Sequence, residues 1–348
     1  MTDTTANTCE TETLQLSPPP PPRPLRVVIP GGAGHLGRIV AGHLHEQGNA
    51  VTVLSRSGAI ALWQVASWNG TDPDDWAREL EDADVVINLA GRSVNCRYNA
   101  GNRHEILESR IRTTELLGEA LSRLSRPPRL WINASTATIY RHSLDREMDE
   151  ATGELGGQEP DAPDSWRFSL EVATRWEKAF FAATTPQTRK IALRSAMVMS
   201  AESGGTFDIL LRLVRFGLGG ACGSGTQFVS WIHEGDFVRA LDYLVVHEEF
   251  EGPVNVASPN PLQNEDFMRI LREVWGTRTG LAASKWMLEV GAFFLRTETE
   301  LVLKSRRVVP GLLLASGFEF QFPEWHGAAE DLVQRWRRQK QREKGKKR

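Results

Sequence analysis

The chain has 348 residues, 41% of them hydrophobic, and a net charge of −3, which fits one large or two moderate domains with an ordinary buried core. Its three cysteines, Cys9, Cys96 and Cys222, are far apart and lack metal-ligand spacing, which excludes a disulfide framework and points to free thiols in a reducing cytoplasm. No basic region followed by an apolar one opens the chain, so no signal peptide is expected, and the apolar stretch around Trp286 is broken by Glu289, short of the about 20 residues a bilayer span needs.

Residues 1–24 are rich in Thr, Glu and Pro, and the proline run 18–22 is stiff and extended, so this part reads as a disordered leader. Strand and helix then alternate. Strands are expected at 25–29, 50–54, 61–66, 84–89, 130–134 and 190–199. Helices are expected at 36–47 (closed by Gly48), around 74–80, at 103–124 (stopped by Pro127-Pro128) and at 168–184. Such alternation predicts an α/β fold with a doubly wound parallel sheet. Beyond residue 200 glycines punctuate the chain. Helices are expected at 207–216, at 236–247 with Asp236 as N-cap, and at 265–275 with Asn264 as N-cap and Gly276 as stop. A strand is expected at 253–256. The organisation is then a leader (1–24), a dinucleotide-binding domain (25–200), a smaller substrate lobe (201–334) and a basic tail (335–348). The tail holds nine Lys/Arg and one Glu, a net +8 against −11 on the rest, and reads as a solvated helix end. No aromatic interleaving supports a nucleic-acid platform.

The run Gly31-Gly32-Ala33-Gly34-His35-Leu36-Gly37 follows the first strand. Glycines let the chain turn sharply and let a pyrophosphate approach the backbone. The helix beginning at His35 and Leu36 offers free N–H groups and a positive dipole end to phosphates. Gly31, Gly34 and Gly37 therefore predict a bound dinucleotide. An acidic residue at the end of strand two would select NAD through the ribose hydroxyl. Ser55-Arg56 stands there instead, and a guanidinium matches a 2′-phosphate, which favours NADP over NAD. The plainer alternative is a solvated arginine in a turn. Leu89-Ala90-Gly91 ends the next central strand with small residues that let the backbone pass close to the adenosine half.

Taken with Ser109-Arg110, Trp176-Glu177, Ser230-Trp231-Ile232-His233 and Ser258-Pro259-Asn260-Pro261, these motifs give a chain that resembles the extended short-chain dehydrogenase/reductases. In particular it resembles the atypical epimerase family, described as nucleoside-diphosphate-sugar epimerases. Ser305-Arg306-Arg307-Val308-Val309-Pro310 and Leu314-Ala315-Ser316-Gly317-Phe318 resemble that family's C-terminal domain of unknown function. The resemblance implies that Thr136, with Ser135 beside it, binds a reacting substrate oxygen, and that Tyr140 is a non-catalytic tyrosine. The general-acid tyrosine and its lysine four residues on are replaced by Ser169 and Ala173. The helix asparagine of the proton relay falls near Ser109 or Arg110.

Ordinary proton-relay chemistry is therefore not expected. Arg110 and Arg194 are candidates for binding an anion or stabilising an oxyanion, and His233 for proton transfer. The alternatives are a structural salt bridge for each arginine and a packed core residue for the histidine. The glycine-rich stretch 217–225 would form a pocket wall with Gln227 and Trp231, unless Trp231 is core. Two functions stay open. One is an NADP-dependent oxidoreductase or epimerase-like enzyme on a small polar or nucleotide-linked substrate. The other is a non-catalytic, NADP(H)-responsive regulator. Either would be a cytoplasmic monomer or homodimer with no metal, no membrane span and no nucleic-acid partner.

Overall fold

The computed structural model describes residues 23–56, 58, 61–70, 75–159, 162–282 and 303–346. The first half runs β1 (Arg26–Pro30), α1 (His35–Glu46), β2 (Ala50–Ser55), β3 (Gln64–Ser67), β4 (Val85–Asn88), α2 (Ala100–Arg123), β5 (Leu130–Thr136), α3 (Asp164–Ala182) and β6 (Arg189–Ser195). There follow β7 (Met197–Met199), α4 (Thr206–Arg215), β8 (Phe228–Val229), β9 (Trp231–His233), α5 (Glu234–Val246), β10 (Gly252–Val256), β11 (Leu262–Gln263), α6 (Asn264–Trp275), α7 (Gly311–Ala315) and α8 (Trp325–Lys346).

Seven strands form one parallel sheet in the order β10-β6-β5-β4-β1-β2-β3. Both faces are covered, so its strands are continuous apolar runs, and all four residues of β4 are buried. Alternate side chains serve opposite faces. Val27, Ile29, Val53, Ile132 and Leu193 pack with Val40 and Leu44 of α1 and Phe237 and Leu241 of α5. Val28, Leu54, Val86, Trp131 and Ala192 pack with Leu116, Leu117 and Leu121 of α2 and Phe180 of α3. The result is the doubly wound Rossmann arrangement. The strand order reverses between β1 and β4, which is where such sheets open a crevice for ligand.

A separate apolar core joins α4, α6 and α8 through Phe207, Leu211, Phe267, Leu271, Trp325, Leu332 and Trp336. Trp325 stacks on Phe267 with ring centres 4.0 Å apart and meets Trp231 edge-on at 5.0 Å.

Several local expectations shift. The strand expected over 190–199 breaks at Ala196. β6 stays in the main sheet, and β7 leaves it to pair with β9. The helix expected near 74–80 is, among the described residues, one 3₁₀ turn, Ala77–Leu80. Asn264 is the first helical residue of α6, not its N-cap, and its Oδ1 accepts from the Cys222 N–H. Asp236 is likewise inside α5, where His233 is the N-cap. The Asp236 carboxylate instead accepts the N–H groups of Gln321 and Phe322 and tethers a distant segment. Gly276 ends α6 in the left-handed region at φ 93°, as its position predicted.

The basic tail continues α8 to Lys346. Its start is docked: Arg335 pairs with Glu234 at 2.7 Å, and Arg337 covers the Trp275 ring. Cys9, the proline run and the apolar stretch around Trp286 lie outside the described residues. Among the described residues no helix is long and apolar enough to cross a membrane.

Candidate active site

The glycine turn links β1 to α1 at the crevice. Gly31 has φ 77°, and a Cβ there would lie 2.6 Å from the backbone of Ala90. Both its conformation and its close approach to the end of β4 demand glycine. A Cβ at Gly32 would meet the Val53 side chain at 2.7 Å, and one at Gly37 would meet the Gly32 backbone at 2.5 Å. Gly34 differs: it is exposed, and its nearest neighbour would be the Gly31 carbonyl at 3.3 Å. Three glycines thus let turn, strand and helix close on one another, while Gly34 leaves the outer side of the turn open.

α1 begins with no side-chain cap and no acid in its first turn. Among the described residues nothing accepts from the amides of His35 and Leu36. The ring of His35 is turned aside, with Nδ1 3.7 Å from Glu202 and Nε2 buried without a partner against Gly205. His35 therefore faces the crevice only through its backbone.

Ser55 is buried at the end of β2, and its carbonyl accepts from Trp68 at 3.0 Å. Arg56 is exposed and has no hydrogen bond or ion pair among the described residues. Beyond β4, Leu89 donates its N–H to the Pro30 carbonyl at 2.9 Å, and Ala90 donates to Oδ1 of Asn88 at 3.1 Å. These bonds hold Leu89 and Ala90 beside Gly31, with Gly91 following next to Arg110.

The neighbouring strand end separates Ser135 from Thr136. Ser135 points to α3, is buried, and donates to Glu177 at 2.5 Å. Glu177 also accepts from Arg194 through Nε at 2.8 Å and Nη2 at 2.7 Å. Arg194 donates to the Tyr140 hydroxyl at 3.0 Å, which donates to Asn255 at 3.0 Å. Burial works against the Arg194 charge, but Glu177 and Tyr140 outweigh it and hold its pKa above the usual value. Burial likewise raises the Tyr140 pKa. Ser135 and Arg194 are thus occupied in a structural network, and the expectation that they meet substrate is corrected. Thr136 lies outside it, half-buried, with Oγ1 accepting the Thr138 N–H at 3.1 Å.

Arg110, on α2, lies over the Trp176 ring with its guanidinium carbon 5.1 Å from the centroid. A Cβ on Gly91 would lie 3.1 Å from that carbon. Arg110 therefore borders the strand ends that form the crevice.

His233 does not. It is almost fully buried, its Nδ1 accepts the Gly235 N–H at 3.0 Å, and its Nε2 faces Asp331 at 3.1 Å. Burial, more than Asp331 can offset, lowers its pKa to about 4. Both ring nitrogens are engaged, so the expectation of proton transfer by His233 is corrected to a capping and packing role. Trp231 is core, donating Nε1–H to the Asn260 carbonyl, and Gln227 is buried with Nε2 on the Cys222 carbonyl.

The chain has relatives among known proteins. The profile of the NAD dependent epimerase/dehydratase family matches residues 27–163, and that of a domain of unknown function (DUF1731) matches residues 283–332. Epimerase family protein SDR39U1 of Homo sapiens is 30% identical over 318 residues, 89% of this chain and 100% of that protein. Its Mus musculus counterpart is 33% identical with the same coverage. The chain belongs to the epimerase family. Among solved structures, the human SDR39U1 (isoform 2) crystal structure with NADPH superposes with a TM-score of 0.78 at 29% identity, covering 89% of this chain and 99% of that one.

The family implies an NAD(P) dinucleotide, and the residues present fit one. Gly31, Gly32 and Gly37 make a cradle that side chains would fill, and the first amides of α1 stand open beside it. Ala173, which the resemblance sets at the lysine position, is fully buried against Ala137, Ile139, Tyr140 and Met148. Sequence reasoning missed Asn255 and the Lys304 and Arg306 side chains, which donate to the Thr138 carbonyl and hydroxyl at 2.8 and 3.1 Å. Only pairing across more than 100 residues reveals these contacts, and no local motif signals them.

Proposed function

We propose that this chain binds NADPH in the Gly31–Gly37 cradle and acts as an oxidoreductase or epimerase-like enzyme on a small polar or nucleotide-linked substrate. Residues 25–200 would hold the cofactor, and 201–334 would shape the substrate side. The observation that carries the reading is the cradle itself: three glycines that no side chain can replace, beside an exposed Arg56 where an NAD-selecting acid would stand. The NADPH of the human relative's crystal structure supports the same cofactor.

When bound, the dinucleotide supplies or accepts a hydride. The chain's own part is to hold and polarise the substrate. Thr136 Oγ1 already accepts a backbone N–H, so its hydroxyl proton is left to donate to a substrate oxygen. The burial of Ala173 in an apolar cluster favours a second reading, a non-catalytic NADP(H)-responsive regulator, because α3 brings no lysine to the crevice.

Fluorescence titration with NADPH and NADH tests the cofactor. Arg56→Ala is expected to weaken NADPH by about tenfold or more with little change for NADH, as the loss of one charge-assisted phosphate contact. Equal losses for both would remove the case for NADP. NADPH oxidation at 340 nm, across carbonyl and sugar-nucleotide substrates, then separates the two readings. Turnover lost in Thr136→Ala identifies the enzyme, whereas tight binding with no turnover across the panel favours the regulator.

A further inference from the structure

A cation drawn partly out of water is costly unless something balances it, and Arg110 is half-buried. Among the described residues no carboxylate reaches the Arg110 guanidinium. The groups that bear on its charge are a phenol, Tyr98, and a thiol, Cys96. Burial lowers its pKa to about 10, which leaves it charged at neutral pH. The Trp176 face returns part of the cost through a cation–π contact.

The hydrogen bonds are one-sided. Nη1 donates to the carbonyls of Arg92 and Ile106, each at 3.0 Å. Nε and Nη2 donate to nothing among the described residues, and neither is a sealed, unsatisfied atom. That edge of a guanidinium carries two parallel N–H bonds, the geometry that takes two oxygens of one carboxylate or phosphate.

The location belongs to the candidate site. Asn88 of β4 pairs with Asn133 of β5. Gly91 and Thr136 each lie three residues further on, at the same C-terminal end of the parallel strands. Trp176 stands one helical turn beyond Ala173, where the resembled pattern has its lysine. α2 thus delivers a positive charge beside the turn of α3 where the resembled pattern has its lysine, while that turn's own Arg175 is paired with Glu171 at 3.0 Å.

We propose that Arg110 is an anion-binding residue of this site and that the substrate carries an oxyanion, a carboxylate or a phosphate, which the free Nε/Nη2 edge grips. This deepens the cofactor-dependent reading above and rests on it.

The test titrates the full chain with acetate, inorganic phosphate and acetamide at fixed ionic strength, both alone and saturated with NADPH. Saturation-transfer NMR reads the organic probes, and phosphorus line broadening reads phosphate. Acetate or phosphate is expected to bind about tenfold or more tighter than acetamide in both states. The tighter of the two anions identifies the source of the oxyanion. Arg110→Met is expected to bring the probes to parity, and Arg110→Lys to keep a weaker preference.

Parity in the unmodified protein overturns the proposal, as does a preference that survives Arg110→Met. Loss of the preference on saturation with NADPH also overturns it, because the edge would then belong to the cofactor. If Arg110→Met fails to fold, the unmodified protein and Arg110→Lys still decide. An anion preference in a protein that binds no NADPH supports the anion site and overturns the cofactor reading alone.

Discussion

Glu177 shows how much one side chain carries at the rim of the crevice. It is 10% exposed and accepts three hydrogen bonds, two from Arg194 and one from Ser135. A buried ion pair contributes modestly as a pair, but removing one partner strands the other. Glu177→Gln leaves the Arg194 charge buried against a neutral amide and is expected to cost about 3–5 kcal/mol in urea unfolding. Ser135→Ala removes one donor while Arg194 still satisfies the carboxylate, so its cost should be about 1–2 kcal/mol. Equal losses from the two would mean that the ion pair does not dominate the network. The contrast also bears on function. The Ser135 hydroxyl is committed to Glu177, so a turnover defect confined to Thr136→Ala is expected, with Ser135→Ala acting through stability.

The elements divide by the range of the interactions that specify them. The glycine cradle was legible because its causes lie within a few residues: a strand, glycines at fixed offsets, then a helix. The parallel sheet was legible from alternating strand and helix patterns for the same reason. What escaped depends on partners remote in sequence. Nothing near Ala196 says that β6 ends and that 197–199 turns to pair with 231–233. Asp236 and Asn264 have the composition of N-caps, but each is claimed by a distant backbone N–H, from Gln321 and Phe322 for the first and from Cys222 for the second. The candidate site was half legible likewise. Local spacing singled out Gly31 and Gly37, whose close approaches to Ala90 and Gly32 the fold accounts for. The catalytic candidates were sorted only when Ser135, Arg194 and His233 proved to be engaged elsewhere.

The same distinction separates two glycine substitutions. Gly48 has φ 83° after α1 and nothing within 4 Å of an added Cβ. Gly48→Ala meets only the left-handed penalty, about 1–2 kcal/mol by urea unfolding, and keeps the crevice intact. Gly37→Ala sets a methyl 2.5 Å from the Gly32 backbone and forces α1 off the turn. Dinucleotide binding should disappear in the fluorescence titration. Normal binding by Gly37→Ala would mean that the turn is not the phosphate cradle.

At the scale of the whole molecule, α8 is held to the rest of the chain partly through His233. His233 caps α5 with Nδ1, which leaves the proton on Nε2 to donate to Asp331 of α8. Arg335, the next turn along α8, approaches the same Asp331 carboxylate at 3.5 Å and also pairs with Glu234. Burial lowers the His233 pKa, and the nearby Arg335 charge adds to this. Asp331 and Asp236 raise it, without prevailing, so the pKa falls from 6.5 to about 4. The folded protein therefore holds the ring neutral, whereas an unfolded histidine takes up a proton near pH 6.5. Stability from this group is complete above pH 6.5 and drains away as pH falls toward 4. The full loss is on the order of 3 kcal/mol. Burial also holds His142 below its ordinary value, so it adds to the slope in the same direction. The readout is therefore the difference between the unmodified protein and His233→Asn, whose side chain can still cap α5 without titrating. Urea midpoints between pH 7 and pH 5 should fall more steeply in the unmodified protein. Parallel pH profiles would show that His233 is hydrated or charged in the folded state. The clasp between α5 and α8 would then rest on the Arg335 pairs and the tryptophan core instead.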